Sequence, residues 1–149
     1  MSRALATPPE WHIGRALVPL FEEFNEAIIA ELARAGYGDV RSSHRHIFVH
    51  IDDEGTSITE LAARAGISKQ AMVQFVNELQ AGGYVVRVPD RHDGRSKLVR
   101  TTNKGERALQ VSWRAIAALE ARWETKLGPR RMAALRKALR ELTGEDAAQ

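Results

Sequence analysis

The stretch Ile58-Thr59-Glu60-Leu61-Ala62-Ala63-Arg64-Ala65-Gly66-Ile67-Ser68-Lys69-Gln70-Ala71-Met72-Val73-Gln74-Phe75-Val76-Asn77 decides the fold. It predicts two amphipathic helices joined by a tight turn. Ser57 and Glu60 have capping-box spacing at the start of the first helix, and Leu61, Ala62 and Ala65 give it a small apolar face before Gly66. The second starts at Ile67-Ser68, carries Met72, Phe75, Val76 and Leu79 along one side, and stops at Gly82-Gly83. A helix-turn-helix needs a small residue where the helices cross, a glycine at the turn, and apolar residues facing a third element. Ala62 and Gly66 meet the first two needs; Leu61, Ala65, Ile67, Met72 and Phe75 meet the third. The plainer alternative is two amphipathic helices that merely pack.

On the second helix, Ser68, Lys69, Gln70, Val73, Gln74 and Asn77 project away from the apolar stripe by helical spacing. These chemistries suit a DNA major groove. Gln pairs bidentately with adenine, Lys reaches guanine or phosphate, and Val touches a thymine methyl. Ser68, at the helix start, is placed to offer its hydroxyl and nearby N–H groups to a phosphate. No acidic residue lies on this face before Glu78.

Downstream, Tyr84-Val85-Val86-Arg87-Val88 is a β-rich run, and Ser96–Arg100 reads as a second short strand. Between them Pro89–Arg95, with its Asp93-Gly94 turn, forms a charged hairpin tip. Arg91 and Arg95 on so slender a loop suit a minor groove. Asp90 and Asp93 are expected to shape the tip, through a carboxylate paired with Arg95 or another tip arginine.

The flanks are helical. Upstream, Ile13, Leu17, Leu20, Phe24, Ile28 and Leu32 lay an apolar stripe along a helix from Glu10 to about Ala35, with a kink or break expected near Val18 because of Pro19. Gly36 and Gly38 end it, and a second helix follows Ser42 or Ser43 and stops at Asp52-Asp53-Glu54-Gly55. Downstream, Thr102 caps a helix bearing Leu109, Trp113, Ile116, Leu119, Trp123 and Leu127. Gly128-Pro129 breaks it, and Met132, Leu135, Leu139 and Leu142 form a last stripe before a frayed tail, Gly144–Gln149. The order α-α-α-α-β-β-α-α gives a mainly α fold with a small β-wing, an α+β class. Long helices from both chain ends bury their stripes poorly in one small subunit, so a dimer is the expected way to cover them.

Composition narrows the classes. At 149 residues the chain fits one domain, and 44% hydrophobic with 28% charged residues is ordinary for a folded protein. The formal charge of +3 hides a gradient: residues 1–53 carry five basic and eight acidic side chains, whereas 54–107 carry nine and six. Seven of those bases fall within Tyr84–Arg107, a candidate electrostatic footprint. There is no cysteine, which excludes disulfides, thiolate zinc sites and thiol sensing. No apolar run is long enough to span a membrane, and Met1–Pro9 shows no secretory pattern, so a cytoplasmic setting is expected.

Leu61-Ala62 through Ile67-Ser68, then Asp93-x-Arg95 followed by Val99 and Thr102-x-x-Gly105, resemble the winged helix-turn-helix of MarR-type transcriptional regulators. The resemblance covers nearly the whole chain. Thr101 departs from it, since relatives usually carry Leu there. It implies a single domain over 1–149, with 1–40 and 103–149 as dimerisation helices and 42–102 as the DNA-binding lobe. It further implies a ligand-responsive homodimer, a repressor on a pseudo-palindromic operator in double-stranded DNA. Its recognition helix, here Ser68–Asn77, would enter the major groove and Arg95 the minor groove.

The resemblance also implies a small aromatic or phenolic effector held between the arms and the lobe. Trp11 and Arg15, one helical turn apart, set an aromatic plate beside a cation and are candidates for it; dimer core and a surface salt bridge are their plainer roles. His46 and His50, at i and i+4 with Asp52 or Asp53 following, are further candidates, and alternatively make a metal-responsive regulator conceivable. No cofactor is expected. No phosphate loop, nucleophile elbow or H-E-x-x-H motif appears, so an enzyme is not expected. The remaining alternative is a dimeric helical interaction protein whose basic hairpin is only a surface.

Overall fold

The computed structural model describes residues 10–145, so the expectations for Met1–Pro9 and for the last four residues of the tail lie outside them. The described elements are α1 (Ile13–Arg34), a 3-10 turn (Ser42–His44), α2 (Arg45–Phe48), β1 (Thr56–Ser57), α3 (Ile58–Ala65), α4 (Lys69–Ala81), β2 (Val85–Pro89), β3 (Lys97–Thr101), α5 (Asn103–Leu127) and α6 (Pro129–Thr143). The architecture is mainly helical with one small antiparallel sheet, as expected.

Local chemistry sets most boundaries. Ser57 Oγ accepts the Glu60 N–H at 3.2 Å, Ser68 Oγ the Ala71 N–H at 3.1 Å, and Thr102 Oγ1 the Gly105 N–H at 3.2 Å. Only half of the capping box at Ser57 forms, because the Glu60 carboxylate turns forward to Arg64. Gly66 ends α3 in the left-handed region (φ 65°) and delivers the chain into α4. Leu61, Ala62, Met72, Val76 and Leu79 close over Ile47, Tyr84 and Val99 to form the core of the lobe.

Three expectations are corrected. The first helix does not break at Pro19 but runs through it to Arg34. Pro19 lies on an exposed face, where water can serve the Arg15 carbonyl that its missing N–H would have met. The second helix is shorter than expected: helical turns cover Ser42–Phe48, and the chain has left the helix well before Gly55. Arg64, on α3, takes the His50 carbonyl at 2.9 Å, and Thr56 Oγ1 accepts the Asp52 N–H at 2.9 Å, so that end is drawn away from helix.

The sheet also has a third strand that the sequence does not announce. β1 pairs antiparallel with β3, Thr56 opposite Val99 and Ser57 opposite Leu98, giving the order β1-β3-β2. Gly55 makes that pairing possible. Its φ is 101°, and a Cβ there would stand 2.7 Å from Arg100 Cγ and 3.0 Å from Leu98 Cβ.

The hairpin is joined to α5 by a second close approach. Thr102 Oγ1 donates to the Gly83 carbonyl at 2.6 Å, and a Cβ on Gly105 would meet the Tyr84 carbonyl oxygen at 2.2 Å. Only glycine lets α5 start against β2. From there α5 runs back along α1, where Trp123 Nε1 donates to Glu23 at 3.2 Å and Arg122 pairs with the same carboxylate.

Candidate nucleic-acid interface

α4 presents the face that its spacing predicts. Met72, Val76 and Leu79 are buried, while Ser68, Lys69, Gln70, Gln74 and Asn77 are exposed and Val73 is half-buried. Ser68 Oγ is used as an acceptor in the cap, which leaves its proton free to donate outward to an anion.

Two of the polar side chains are held from behind. Asn77 Oδ1 accepts from Arg87 Nη2 at 2.7 Å, and the same guanidinium donates to Gln80, bracing β2 against α4. Gln74 Nε2 donates to Glu78 Oε1 at 3.2 Å. Glu78 Oε2 in turn accepts from the Arg41 guanidinium and from His44 Nε2, the latter at 2.8 Å. Hydrogen bonds from Arg41 first, then His44, hold the Glu78 carboxyl down at about 2, so it is ionised throughout the neutral range.

The wing is built differently from the expectation. Asp93 Oδ1 accepts the backbone N–H of Arg95 at 3.1 Å rather than its guanidinium. Asp90 takes the His92 N–H at 2.8 Å and the Ser96 hydroxyl at 3.1 Å. The His92 amide bond is the main reason that the Asp90 carboxyl lies below its ordinary range. These short loop bonds form because an Asp side chain reaches an amide two residues on without ordering a long partner. Asp93 therefore shapes the tip as expected, through an amide instead of an ion pair. Among the described residues neither Arg91 nor Arg95 pairs with a carboxylate, and both are exposed.

The residues considered for an effector lie on two elements, Trp11 and Arg15 at the start of the first arm and His46 and His50 at α2 and just after it. Trp11 is exposed at the start of α1, and Arg15 donates to the Glu10 carbonyl at 3.1 Å. His46 lies on α2, its ring stacked on Phe75 with centroids 6.3 Å apart. Burial, then the charges of Arg45 and His50, lowers its pKa and favours the neutral ring. His50 is half-buried beside it. Asp52, considered as a metal ligand with these histidines, gives Oδ2 to Arg64 at 2.9 Å. Among the described residues no three metal-ligating side chains converge.

Arg87 counts in the sequence only as one of the bases of the electrostatic footprint and His44 only among the histidines near the second helix; none of Arg41, His44, Glu78 and Arg87 reads there as a brace for α4. Only one signal was available there: Gln74 and Glu78 stand four apart on one helix, a spacing that brings their side chains into contact.

Residues 39–96 match the model of the MarR family. No curated protein matches the chain. Among solved structures it is similar to a MarR-family transcriptional regulator from Rhodococcus sp. RHA1, with 24% identity, a TM-score of 0.67, and 87% of this chain and 91% of that one covered. It is similar too to CouR from Rhodococcus jostii RHA1, a structure bound to p-coumaroyl-CoA, at 25% identity and TM-score 0.66, over 87% of this chain and 90% of that one. Apo MarR from E. coli shares 17% identity at TM-score 0.70, over 89% and 97%. Residues 39–96 thus match the MarR family, and the fold around them is the winged-helix fold of MarR-family structures.

Proposed function

We propose that the protein is a cytoplasmic, homodimeric repressor that binds a pseudo-palindromic operator and releases it on binding a small effector. The observation that carries the DNA reading is the pairing of an exposed α4 face that carries no acidic residue before Glu78 with wing arginines that, among the described residues, pair with no carboxylate. Lys69, Gln70, Val73, Gln74 and Asn77 meet base edges or backbone in the major groove, Ser68 donates to a phosphate, and Arg91 and Arg95 enter the flanking minor groove. Phosphate and groove cations set affinity; Gln74 sets the sequence read. This work is binding and needs no catalytic group.

The dimer follows from the arms. Leu17, Leu20, Phe24, Leu127, Leu135 and Leu139 line an open apolar groove of about 810 Å³ between α1, α5 and α6. A second copy covers it, leaving residues 42–102 of each chain as the DNA-binding lobe. The two recognition helices then lie about 34–36 Å apart, one turn of DNA. For the effector, CouR's bound p-coumaroyl-CoA supports an aromatic acid or its thioester, with Trp11, Arg15, His46 and His50 as the side chains to examine.

Selection of bound duplexes from a random pool, with and without added phenolic acids, tests the proposal. An enriched palindrome that is lost with one of the acids is the expected result. No enriched palindrome would sink it and favour an interaction protein with a basic surface.

A further inference from the structure

Glu78 is the one acidic side chain reaching the DNA-facing side of α4, and it makes three contacts at once. Its Oε1 accepts from Gln74; its Oε2 accepts from Arg41 and His44, at the turn that joins α1 to α2. His44 is 2% exposed and accepts the Arg41 backbone N–H on Nδ1 at 3.1 Å. Its proton therefore sits on Nε2 and is directed at Glu78. The carboxylate is thus fixed from one side by a buried ring and a guanidinium, and its free oxygen faces Gln74.

A primary amide has two N–H groups and one carbonyl. Giving one N–H to Glu78 settles which way round the Gln74 amide lies. It leaves a carbonyl and one N–H side by side, the acceptor–donor pair that fits the N6 and N7 edge of adenine. A free glutamine on an exposed helix face samples both orientations and several rotamers, and ordering it on DNA costs entropy.

We propose that Glu78 is a positioning residue for sequence recognition: anchored by Arg41 and His44, it fixes the orientation of the Gln74 amide and so determines the base pair that Gln74 selects. The inference rests on the DNA-binding reading above. It separates discrimination from affinity, because the Glu78 carboxylate is engaged by Gln74, Arg41 and His44 and adds no attraction for phosphate.

The test selects duplexes from a random pool with full-length wild-type protein, Glu78→Ala and Glu78→Gln, and measures binding of each to poly(dI-dC). Circular dichroism melts of both variants check that they fold. Wild type should show a strong base preference at one position in each half-site. Glu78→Ala should flatten that position by about tenfold, leaving the other positions and poly(dI-dC) binding in place. Glu78→Gln keeps the size but replaces one accepting oxygen with an NH2. The Gln74 amide then turns over to meet it, and the preferred base should change rather than vanish. Identical preferences in all three proteins overturn the role of Glu78 while leaving the regulator reading intact. So does a uniform loss at every position with a parallel fall on poly(dI-dC), which marks a displaced helix. A wild-type protein that enriches no palindrome removes both readings.

Discussion

The lobe and the arms are built from similarly apolar stripes but close them differently. In the lobe, Ile47, Leu61, Met72, Val76 and Val99 are completely buried within one chain. In the arms, Leu17 is 51%, Phe21 47% and Leu139 45% exposed, although α1 and α5 pack along each other. The difference separates what one chain finishes from what it leaves open. The lobe is a closed core that folds around its own sheet, whereas the arms leave an apolar face open, the face that the proposed dimer would cover.

The comparison is broken most severely by an acidic residue in the arm groove. Leu20→Glu should run as a monomer in sedimentation velocity while its lobe keeps native near-UV circular dichroism. Loss of the second lobe removes bivalent binding, so affinity for the selected palindrome should fall about a hundredfold or more. A variant that remains dimeric would place the interface elsewhere.

A lobe substitution should do the opposite. Leu61→Ala leaves a cavity in a core with no partner chain to refill it and should cost about 2–5 kcal/mol in urea unfolding. The arms should still associate. A loss below about 1 kcal/mol would mean that the α3–α4 contact is not the closed core described.

The smallest change sharpens the lobe's outer edge. Arg95→Ala should weaken operator binding by about tenfold and reduce the slope of log affinity against log salt by about one, with no change in melting temperature. An unchanged salt slope would take the arginine out of the interface.

What could be read in the sequence follows the same division by distance along the chain. The helix-turn-helix was legible because its signals are local: Ser57 and Ser68 cap within three residues, and Gly66 turns where it stands. The bare stripes of α1 and α6 were legible from periodicity alone, and so was the outward face of α4. β1 was not, since two residues carry no alternation and Thr56 becomes a strand only by pairing with Val99, 43 positions later. The length of α2 was misread because the group that claims the His50 carbonyl, Arg64, lies 14 residues on. Of the Glu78 network only its i,i+4 neighbour Gln74 was within reach of pattern; Arg41 is 37 residues away. The misjudged tip arose from chemistry rather than distance. A carboxylate beside arginines suggests an ion pair, but a neighbouring amide was nearer and needed less ordering.

That choice at the tip has a consequence for how such a protein can change. Because Asp90 and Asp93 tie the loop through the amides of His92 and Arg95, the shape of the hairpin is written in the backbone. Any residue that supplies an N–H keeps it. Arg91 and Arg95 are therefore interchangeable fittings on a fixed mount, and new groove preferences can be tried there one side chain at a time without rebuilding the loop that carries them.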